Sequence, residues 1–534
     1  MASIIVKLFF SLTLCSSIFS ISSSSSSSSS SSIDFWCNQT PHPEPCKYHM
    51  SQSHHHQFEP QHRSEFTKIL VQLALNQAKA VHEKAQAHGQ KCATEMQKCA
   101  FTDCLKLYDN TIFHLNRTLH GLHTASCSPS DAQTWLSTAL TNTETCWSAM
   151  SAAQLAEFTA QNNVSDNVRK MISNVLAVNG RFLKQENYTE EEINDAHGFP
   201  SWFSRHDRRL LSLKPSSVKA NLVVAKDGSG HFKTVQAAID AASRRRVKTK
   251  FVIRVKRGIY EENIEVDKDN ENLMIVGDGM RATIITGSRS VKDGITPAAS
   301  ATAGIDGARF IARDVTFRNT AGPENGQAVA LRSASDLSVF YRCSIEGYQD
   351  TLMAHAQRQF YRDCRIFGTV DFIWGNAAVV LQNCRILVRR PLQGQANMIT
   401  AQGRGDPFQN TGISIIGCQI RAAPDLRPVV RSFQTYLGRP WQQYARVVVM
   451  KSYIEGVVNP LGWSPWGDND LGQDTCYFGE YMNFGAGSST QSRVQWPGFH
   501  VISNPNEANQ FSVASFLAGR TWLPVTGVPF SIGV

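Results

Sequence analysis

The chain has 534 residues, 42% of them hydrophobic and 18% charged, with a formal net charge of +9. That length exceeds one typical domain, and the apolar content is enough for large cores, which excludes a chain too polar to fold. The charge is uneven: from Ser212 onward there are 36 Lys and Arg against 26 Asp and Glu, a balance of +10, so the C-terminal part is cationic and the rest is near neutral.

The first 21 residues hold one charge, Lys7, followed by the apolar run LFFSLTLCSSIFSI. This composition predicts a secretory signal peptide or signal anchor, the run being too interrupted for a transmembrane helix. Ser22 to Ser32 is an unbroken serine tract, which cannot form a core and reads as linker, so residues 1–32 are set apart from the folded chain.

From Cys37 to Ala177 the texture is helical. In HRSEFTKILVQLALNQAKAVHEKAQA, Ser64 is the expected N-cap, and Phe66, Ile69, Leu70, Leu73 and Val81 recur at the spacing of one buried helix face. SPSDAQTWLSTALTNTETCWSAM and VRKMISNVLAV read the same way, which predicts a helical bundle over 33–185. Cys37 and Cys46 bracket a short Pro-rich hairpin, while Cys104 and Cys146 lie on separate helices; the run His54 to His56 reads as a solvated polar loop. The glycosylation sequons Asn38, Asn116, Asn163 and Asn187 all precede residue 200, which suggests two distinct units. Residues 186–217 read as a polar linker, in which Arg208, Arg209, Leu210 and Leu211 form a dibasic processing site for a protease.

Beyond residue 218 the chain turns to short β-branched runs bounded by Gly, Asn or Asp, such as FVIRV, LMIVG, AVVLQ and VVVM, which predict strands. An internal repeat sets their arrangement. FYRCSIEGYQDTL at Phe340–Leu352 is followed by QFYRDCRIFGTVDFI at Gln359–Ile373, and in each copy a Gly falls four residues and an Asp seven residues after the Cys. Aligned on that Cys, the same phase continues through Val315, Cys343, Cys364, Cys384, Cys418 and Ser452, at spacings of 28, 21, 20, 34 and 34. Repeats near 20 residues with no helix between them predict an all-β parallel β-helix over 218–534. A β-sandwich with coincidental Cys spacing is the other architecture, and the matched Cys, Gly and Asp phases argue against it.

Equal phase in a solenoid means neighbouring coils, roughly 4.7 to 4.9 Å apart. Asp350 and Asp371 share a phase, so one carboxyl is expected to keep its proton while the other stays anionic, which supplies an acid and a nucleophile in one site. Other chemistries lack support: there is no G-x-S-x-G elbow and no H-E-x-x-H, and the glycines at Gly277–Gly279 and Asp227–Gly230 are turn signals without a phosphate-loop context. No nucleic-acid-binding motif is visible, and the arginines are dispersed along strands, so an acidic glycan suits a basic secreted domain better than nucleic acid.

GIYEE, GQAVALR, GYQDTLM, GTVDFIWG and LGRPW, in that order between Gly258 and Trp441, resemble the signature blocks of plant pectin methylesterases. TDCLKLY and WLSTALTN in the helical half resemble the pectin methylesterase inhibitor domain that precedes the enzyme in longer members, and RRLL resembles the maturation site between the two. The resemblance implies a right-handed β-helix enzyme, secreted to the cell wall or apoplast, that hydrolyses the methyl esters of homogalacturonan to pectate and methanol without metal or organic cofactor. A proteinaceous pectinesterase inhibitor is the implied protein partner. A lyase, a polygalacturonase or a silent pectin-binding module on a similar β-helix is the alternative.

Carried over by motif, the nucleophile falls on Asp371 and the acid/base on Asp350, the pair that the repeat also singles out. Gln349 and Gln327 match the oxyanion donors, Arg439 the arginine that keeps the nucleophile ionised, and Trp441 the sugar-stacking aromatic. A Gln inside a β-helix can instead join an amide ladder, and an Arg before Pro-Trp can simply close a loop. Trp374 stands where the family usually has Phe, and should still line the cleft. The family's T-T-F-x-S-A-T run is ITPAASAT here, so Pro297 and Ala298 replace substrate-contacting residues and Thr296 remains as a candidate contact.

Two readings of the β-region cysteines stay open. Cys343 with Cys364 could form a disulfide, with Cys384 and Cys418 as a family-like second pair, or all four could be a reduced ladder. Cys476 in the β region has no evident partner; in the helical half the expected pairs are Cys37–Cys46 and Cys104–Cys146, with Cys92, Cys99 and Cys127 unassigned.

Overall fold

The computed structural model describes residues 28–52, 60, 62–88, 92–155, 163–183, 218–246 and 249–534. The processing site at Arg208–Leu211, Asn187 and His54–His56 lie outside the described residues.

The N-terminal unit is built from α1 (Ser28–Cys37), α2 (Pro43–Gln52), α3 (Arg63–His88), α4 (Glu95–Thr124), α5 (Pro129–Ala152) and α6 (Asn163–Leu183). Capping boxes start two of them, Thr94 with Gln97 on α4 and Ser128 with Asp131 on α5, each satisfying backbone N–H groups that a helix end leaves open. Two expectations change here. α1 begins inside the serine tract at Ser28, because its far end is anchored: the Trp36 ring stacks on Phe66 at 5.2 Å and its Nε1 donates to the Pro60 carbonyl at 2.9 Å. α3 begins at Arg63, so Ser64 sits in the first turn and the His62 carbonyl accepts from the N–H groups of Glu65 and Phe66.

The bundle core is apolar, with Phe66, Leu70, Leu115, Leu136, Ile172 and Leu176 buried. Disulfides join Cys37 to Cys46 and Cys104 to Cys146, the second tying α4 to α5. Asn38 and Asn116 are exposed.

The second unit is a right-handed parallel β-helix. Among the described residues its strands form three sheets, the first of eleven strands, the second of eight and the third of seven, and the chain visits them in rotation. One coil is Ser338–Tyr341, Ser344–Glu346 and Leu352–Ala354; the next is Arg358–Arg362, Arg365–Gly368 and Ile373–Gly375. All paired strands run parallel, with Phe340 opposite Tyr361, Ile345 opposite Ile366 and Leu352 opposite Ile373.

This register stacks like on like in the interior. Phe317, Ile345, Ile366, Ile386, Ile420 and Ile454 make a continuous buried row, and the rings of Phe340 and Tyr361 stack at 4.7 Å.

The corner from the first sheet to the second explains the Cys phase. It is tight, and one residue per coil takes a left-handed conformation: Asp314 (φ 57°), Arg342 (52°), Asp363 (54°), Asn383 (56°) and Lys451 (46°). Asp and Asn tolerate that region better than most side chains. The next residue, Val315, Cys343, Cys364, Cys384, Cys418 or Ser452, is small or slim and turns into the core.

Contrary to the disulfide reading, Cys343, Cys364, Cys384 and Cys418 are all free thiols. Each sulfur serves the corner instead. The Cys343 N–H donates to the Cys364 sulfur at 3.4 Å, the Cys384 N–H to the Cys418 sulfur at 3.3 Å, and the Cys364 thiol donates to the Phe340 carbonyl at 3.2 Å. Cys92, Cys99, Cys127 and Cys476 are also free.

The bundle is seated on the turns that lead from the third sheet back to the first. Lys106 pairs with Asp306 at 2.9 Å and Asp131 with Arg358 at 2.9 Å. Thr145 Oγ1 and His355 Nε2 are 2.9 Å apart, Asn376 donates to Thr141 at 2.9 Å, and Gln133 donates to the Phe408 carbonyl at 2.6 Å.

Because Ile366 is fully buried in the interior row, Ile366→Ala should leave a cavity between two coils and cost about 2–5 kcal/mol. Denaturant unfolding of parent and variant measures this; a loss well below that range would mean that the coils collapse around the gap.

Candidate active site

Asp350 and Asp371 each lie two residues before a strand of the third sheet. Since Leu352 is paired with Ile373, the two aspartates occupy the same position on adjacent coils. Both adopt left-handed backbone conformations, φ 63° and 51°, and both are largely buried, 7% and 6% exposed. The Asp350 N–H donates to the Val370 carbonyl at 3.0 Å, which locks the two turns together. Non-glycine residues in this region carry backbone strain, so the surrounding turns must hold them there.

Arg439 comes from the strand Thr435–Pro440, two strands further along the same sheet in register with Trp374 and Ala401. Its Nε and Nη2 donate to the two carboxylate oxygens of Asp371 at 2.8 and 2.6 Å, a bidentate pair. The face of that guanidinium lies over the Trp466 ring at 4.2 Å.

This contact splits the pair. Burial raises the pKa of Asp371, and the hydrogen bonds and charge of Arg439 oppose the rise. Asp350 is pushed well above the usual carboxylate range by burial and then by the charge of Asp371, with Arg439 acting on it more weakly. The coupled pair therefore carries its first negative charge on the arginine-bound Asp371 and its proton on Asp350.

Gln327 and Gln349 sit on adjacent coils, joined by the bond from the Ala328 N–H to the Gln349 carbonyl at 3.2 Å, while the Gln327 carbonyl accepts from Val291 at 3.1 Å. Both residues are half-buried. Their backbones are fixed and, among the described residues, their side-chain amides have no protein partner, so the N–H donors remain free for a ligand.

The outer face of the third sheet carries an apolar strip of Ala301, Val329, Met353, Trp374 and Ala401, flanked by Ala298, Trp441 and Trp466. Trp374 donates its Nε1 to the Asp350 carbonyl at 3.1 Å and meets Trp441 edge to face at 5.4 Å. Gly403 makes room for this arrangement, because a Cβ there would come within 2.5 Å of the Trp441 ring.

Met353 and Trp466, with the smaller Ala301, Val329 and Ala401, are the members that sequence reasoning missed. Strand alternation could have found Met353, which points opposite to the core residue Leu352; Trp466 lies in a loop and carries no phase. Thr296, expected to contact substrate, is 3% exposed and faces the bundle: its hydroxyl donates to the Asp103 carboxylate on α4, and its N–H to the Cys99 sulfur at 3.5 Å.

A β-helix with two stacked carboxyls, one bound by arginine and the other protonated, beside an aromatic-walled strip is the architecture of a polysaccharide-modifying enzyme. The pectinesterase family model matches residues 221–520, and that of the plant invertase/pectin methylesterase inhibitor family matches residues 31–178. The chain is 56% identical to the probable pectinesterase/pectinesterase inhibitor 60 of Arabidopsis thaliana, covering 94% of this chain and 93% of that protein. It is 49% identical to pectinesterase 2 of Citrus sinensis, covering 98% and 99%. Among solved structures it is similar to the pectin methylesterase from carrot, at a TM-score of 0.59 and 56% identity, over 60% of this chain and 99% of that one. The chain belongs to the pectinesterase family, with an inhibitor-family unit ahead of the catalytic one, and is a carboxylic ester hydrolase.

The raised pKa of Asp350 has a consequence for stability. Above the ordinary value of 3.8 the folded chain holds a proton that the unfolded chain has released, so this group makes stability fall as pH rises toward its folded pKa. Asp350→Asn removes that penalty. Its thermal midpoint should match or exceed the parent's near pH 7, with the gap closing as pH falls to about 4. An earlier midpoint at neutral pH would mean that the carboxyl is needed for the fold.

Proposed function

We propose that Asp371 is the nucleophile and Asp350 the acid/base in the hydrolysis of methyl esters of homogalacturonan. The observation that carries this reading is the split pair: Arg439 binds both oxygens of Asp371 while burial and that charge hold a proton on Asp350. Asp371 attacks the ester carbonyl, and the oxyanion that forms is met by the amide donors of Gln327 and Gln349. The intermediate collapses, Asp350 gives its proton to the departing methoxide, and methanol leaves an acyl-enzyme anhydride. Asp350, now a carboxylate, takes a proton from water as the water attacks the galacturonyl carbonyl, which returns Asp371 and releases the free uronate. Trp441 and Trp374 supply the faces on which the sugar rings rest.

The sequence supports export through the secretory pathway to the cell wall: an apolar leader, sequons confined to the helical half, and disulfides within that half. The helical unit restrains the enzyme until a protease cuts at Arg208–Leu211. Its seat supports this, because Asp103 and Cys99 hold the Thr296 segment beside the apolar strip.

Asp371→Asn loses the attacking oxygen and should lower methanol release from esterified pectin by several orders of magnitude, with no acyl-enzyme formed. Asp350→Asn keeps the nucleophile and should fall comparably in turnover while accumulating a trapped intermediate, detectable as a mass increase on the protein. Substantial activity in Asp371→Asn would assign the chemistry elsewhere. Arg208→Ala with Arg209→Ala should yield an uncleaved chain of low activity; normal size and activity in that variant would remove the processing step.

A further inference from the structure

The second sheet turns one face to the core and the other outward, and the outward face bears a row of arginines that the reaction does not use. Alternate residues of each strand point out. One outward row runs Thr316, Ser344, Arg365, Arg385, Gln419, Tyr453, in register across successive coils; beside it runs Arg318, Glu346, Phe367, Leu387, Arg421. Arg365 and Arg385 are therefore stacked one strand spacing apart, roughly 4.7–4.9 Å at the backbone.

Few carboxylates answer these charges. Burial, then Arg281 and Arg385, push the Arg365 guanidinium below its usual range. Glu346, which acts on Arg365 less than either arginine, is already held by Arg318 at 2.7 Å and by the Ser344 hydroxyl at 2.7 Å. Among the described residues, no carboxylate forms an ion pair with Arg281, Arg365, Arg385 or Arg421; the Arg421 guanidinium rests instead on the Tyr453 ring at 4.6 Å.

The same face opens into a cleft of about 560 Å³, whose lining includes Arg318, Glu346, Phe367, Tyr348, Arg389 and Asp425. Arg389 lies on the Tyr348 ring at 3.6 Å and pairs with Asp425 at 3.1 Å. Tyr348 directly precedes Gln349 and Asp350, so the cleft adjoins the catalytic turn from the side opposite the bundle, whose hydrogen bonds and ion pairs fall on the turns after the third sheet and on the Thr296 segment.

We propose that this face is a second polymer-binding site, which takes a run of free uronates on de-esterified homogalacturonan. The proposal rests on the pectin reading above. Guanidinium groups bind carboxylates through paired N–H donors, and two adjacent cations at strand spacing favour a ligand whose carboxylates also repeat. Phe367 offers a flat apolar face for a sugar C–H surface beside those charges. The ester form of the polymer lacks the carboxylates and gains nothing from the row. The site thus holds the product of the enzyme, and holds it beside the catalytic turn.

The test is binding of fully de-esterified homogalacturonan to the full chain, by calorimetry at low ionic strength. The Asp371→Asn background keeps turnover out of the readout. Arg365→Glu with Arg385→Glu should weaken binding by about ten-fold or more, whereas Arg244→Glu with Arg246→Glu, the same change in net charge on a distant exposed turn, should weaken it less than about two-fold. Equal losses would reduce the effect to net charge, and retained affinity in the Arg365/Arg385 variant would put the polymer in the catalytic groove; either result overturns the proposal. Duplex DNA bound as tightly as the uronate, and lost in the same variant, would show a generic polyanion patch and overturn it as well. Methanol release by the parent chain tests the pectin reading separately, so a failure of one is not mistaken for a failure of the other.

Discussion

In-register stacking of parallel coils is the constraint on which the rest of this molecule depends. Each coil repeats the phase of the last, so interior residues meet their own kind, isoleucine on isoleucine and ring on ring. The same rule, applied to the turn before the third sheet, places Asp371 beside Asp350. Two like charges one strand spacing apart repel by about 3–4 kcal/mol at an effective dielectric of about 20, more than the roughly 1–2 kcal/mol of left-handed strain that each aspartate carries. Burial first, and this repulsion after it, hold a proton on Asp350, and Arg439 decides which partner keeps the charge. The groups that share its strand register, Trp374 and Ala401, are part of the wall that keeps water from screening the pair.

That periodicity is also why so much could be read from the sequence. The Cys phase locates the corner from the first sheet to the second from Val315 to Ser452, and the residue before it, often Asp or Asn, marks the left-handed turn. Asp350, Asp371, Gln327 and Gln349 all lie on neighbouring coils because they lie in neighbouring repeats. What escaped were contacts with no phase. Trp466 reaches Arg439 from a loop, and Thr296 meets Asp103 across 193 residues of sequence separation. The cysteine ladder was one of two open readings for a different reason: equal phase predicts proximity, but proximity alone does not distinguish a disulfide from sulfurs that each serve a backbone N–H or carbonyl. Ser64 shows the ordinary limit of local rules, since a helix that begins two residues earlier, at Arg63, puts the His62 carbonyl where the cap was expected.

The seat of the bundle has its own electrostatic logic. Where charges are buried there, they are compensated: Asp306 is held well below the usual carboxylate range by Arg332 and by Lys106 of α4, and Asp336 is lowered to about 2 by Arg358 and Arg117. Where partners are lacking, the groups stay neutral. Burial lowers His114 to about 3 and His355 to about 4, and burial with Asp406 raises Glu144 to about 8. Breaking a compensated buried pair is costly because it strands a charge, so the bundle is held by contacts that resist piecemeal loss. Such a seat fits a unit that departs whole after a cut in its linker.

Each turnover changes the polymer that the site must next accommodate. With Asp371 as the proposed nucleophile, an uncharged ester becomes a carboxylate beside it, in a place where burial already disfavours negative charge. Arg439 already shares its charge with Asp371 through Nε and Nη2. In the proposed mechanism the product carboxylate is repelled from the turn by the charge on Asp371. The arginine row on the second sheet gives that charge somewhere favourable to go without leaving the protein: it lies on the other side of the Tyr348 turn, is open while the bundle is docked, and attracts the polymer only where esters have been removed. Expulsion from one face and capture on the next would move new esters toward the groove, so the force that ends one reaction positions the chain for another.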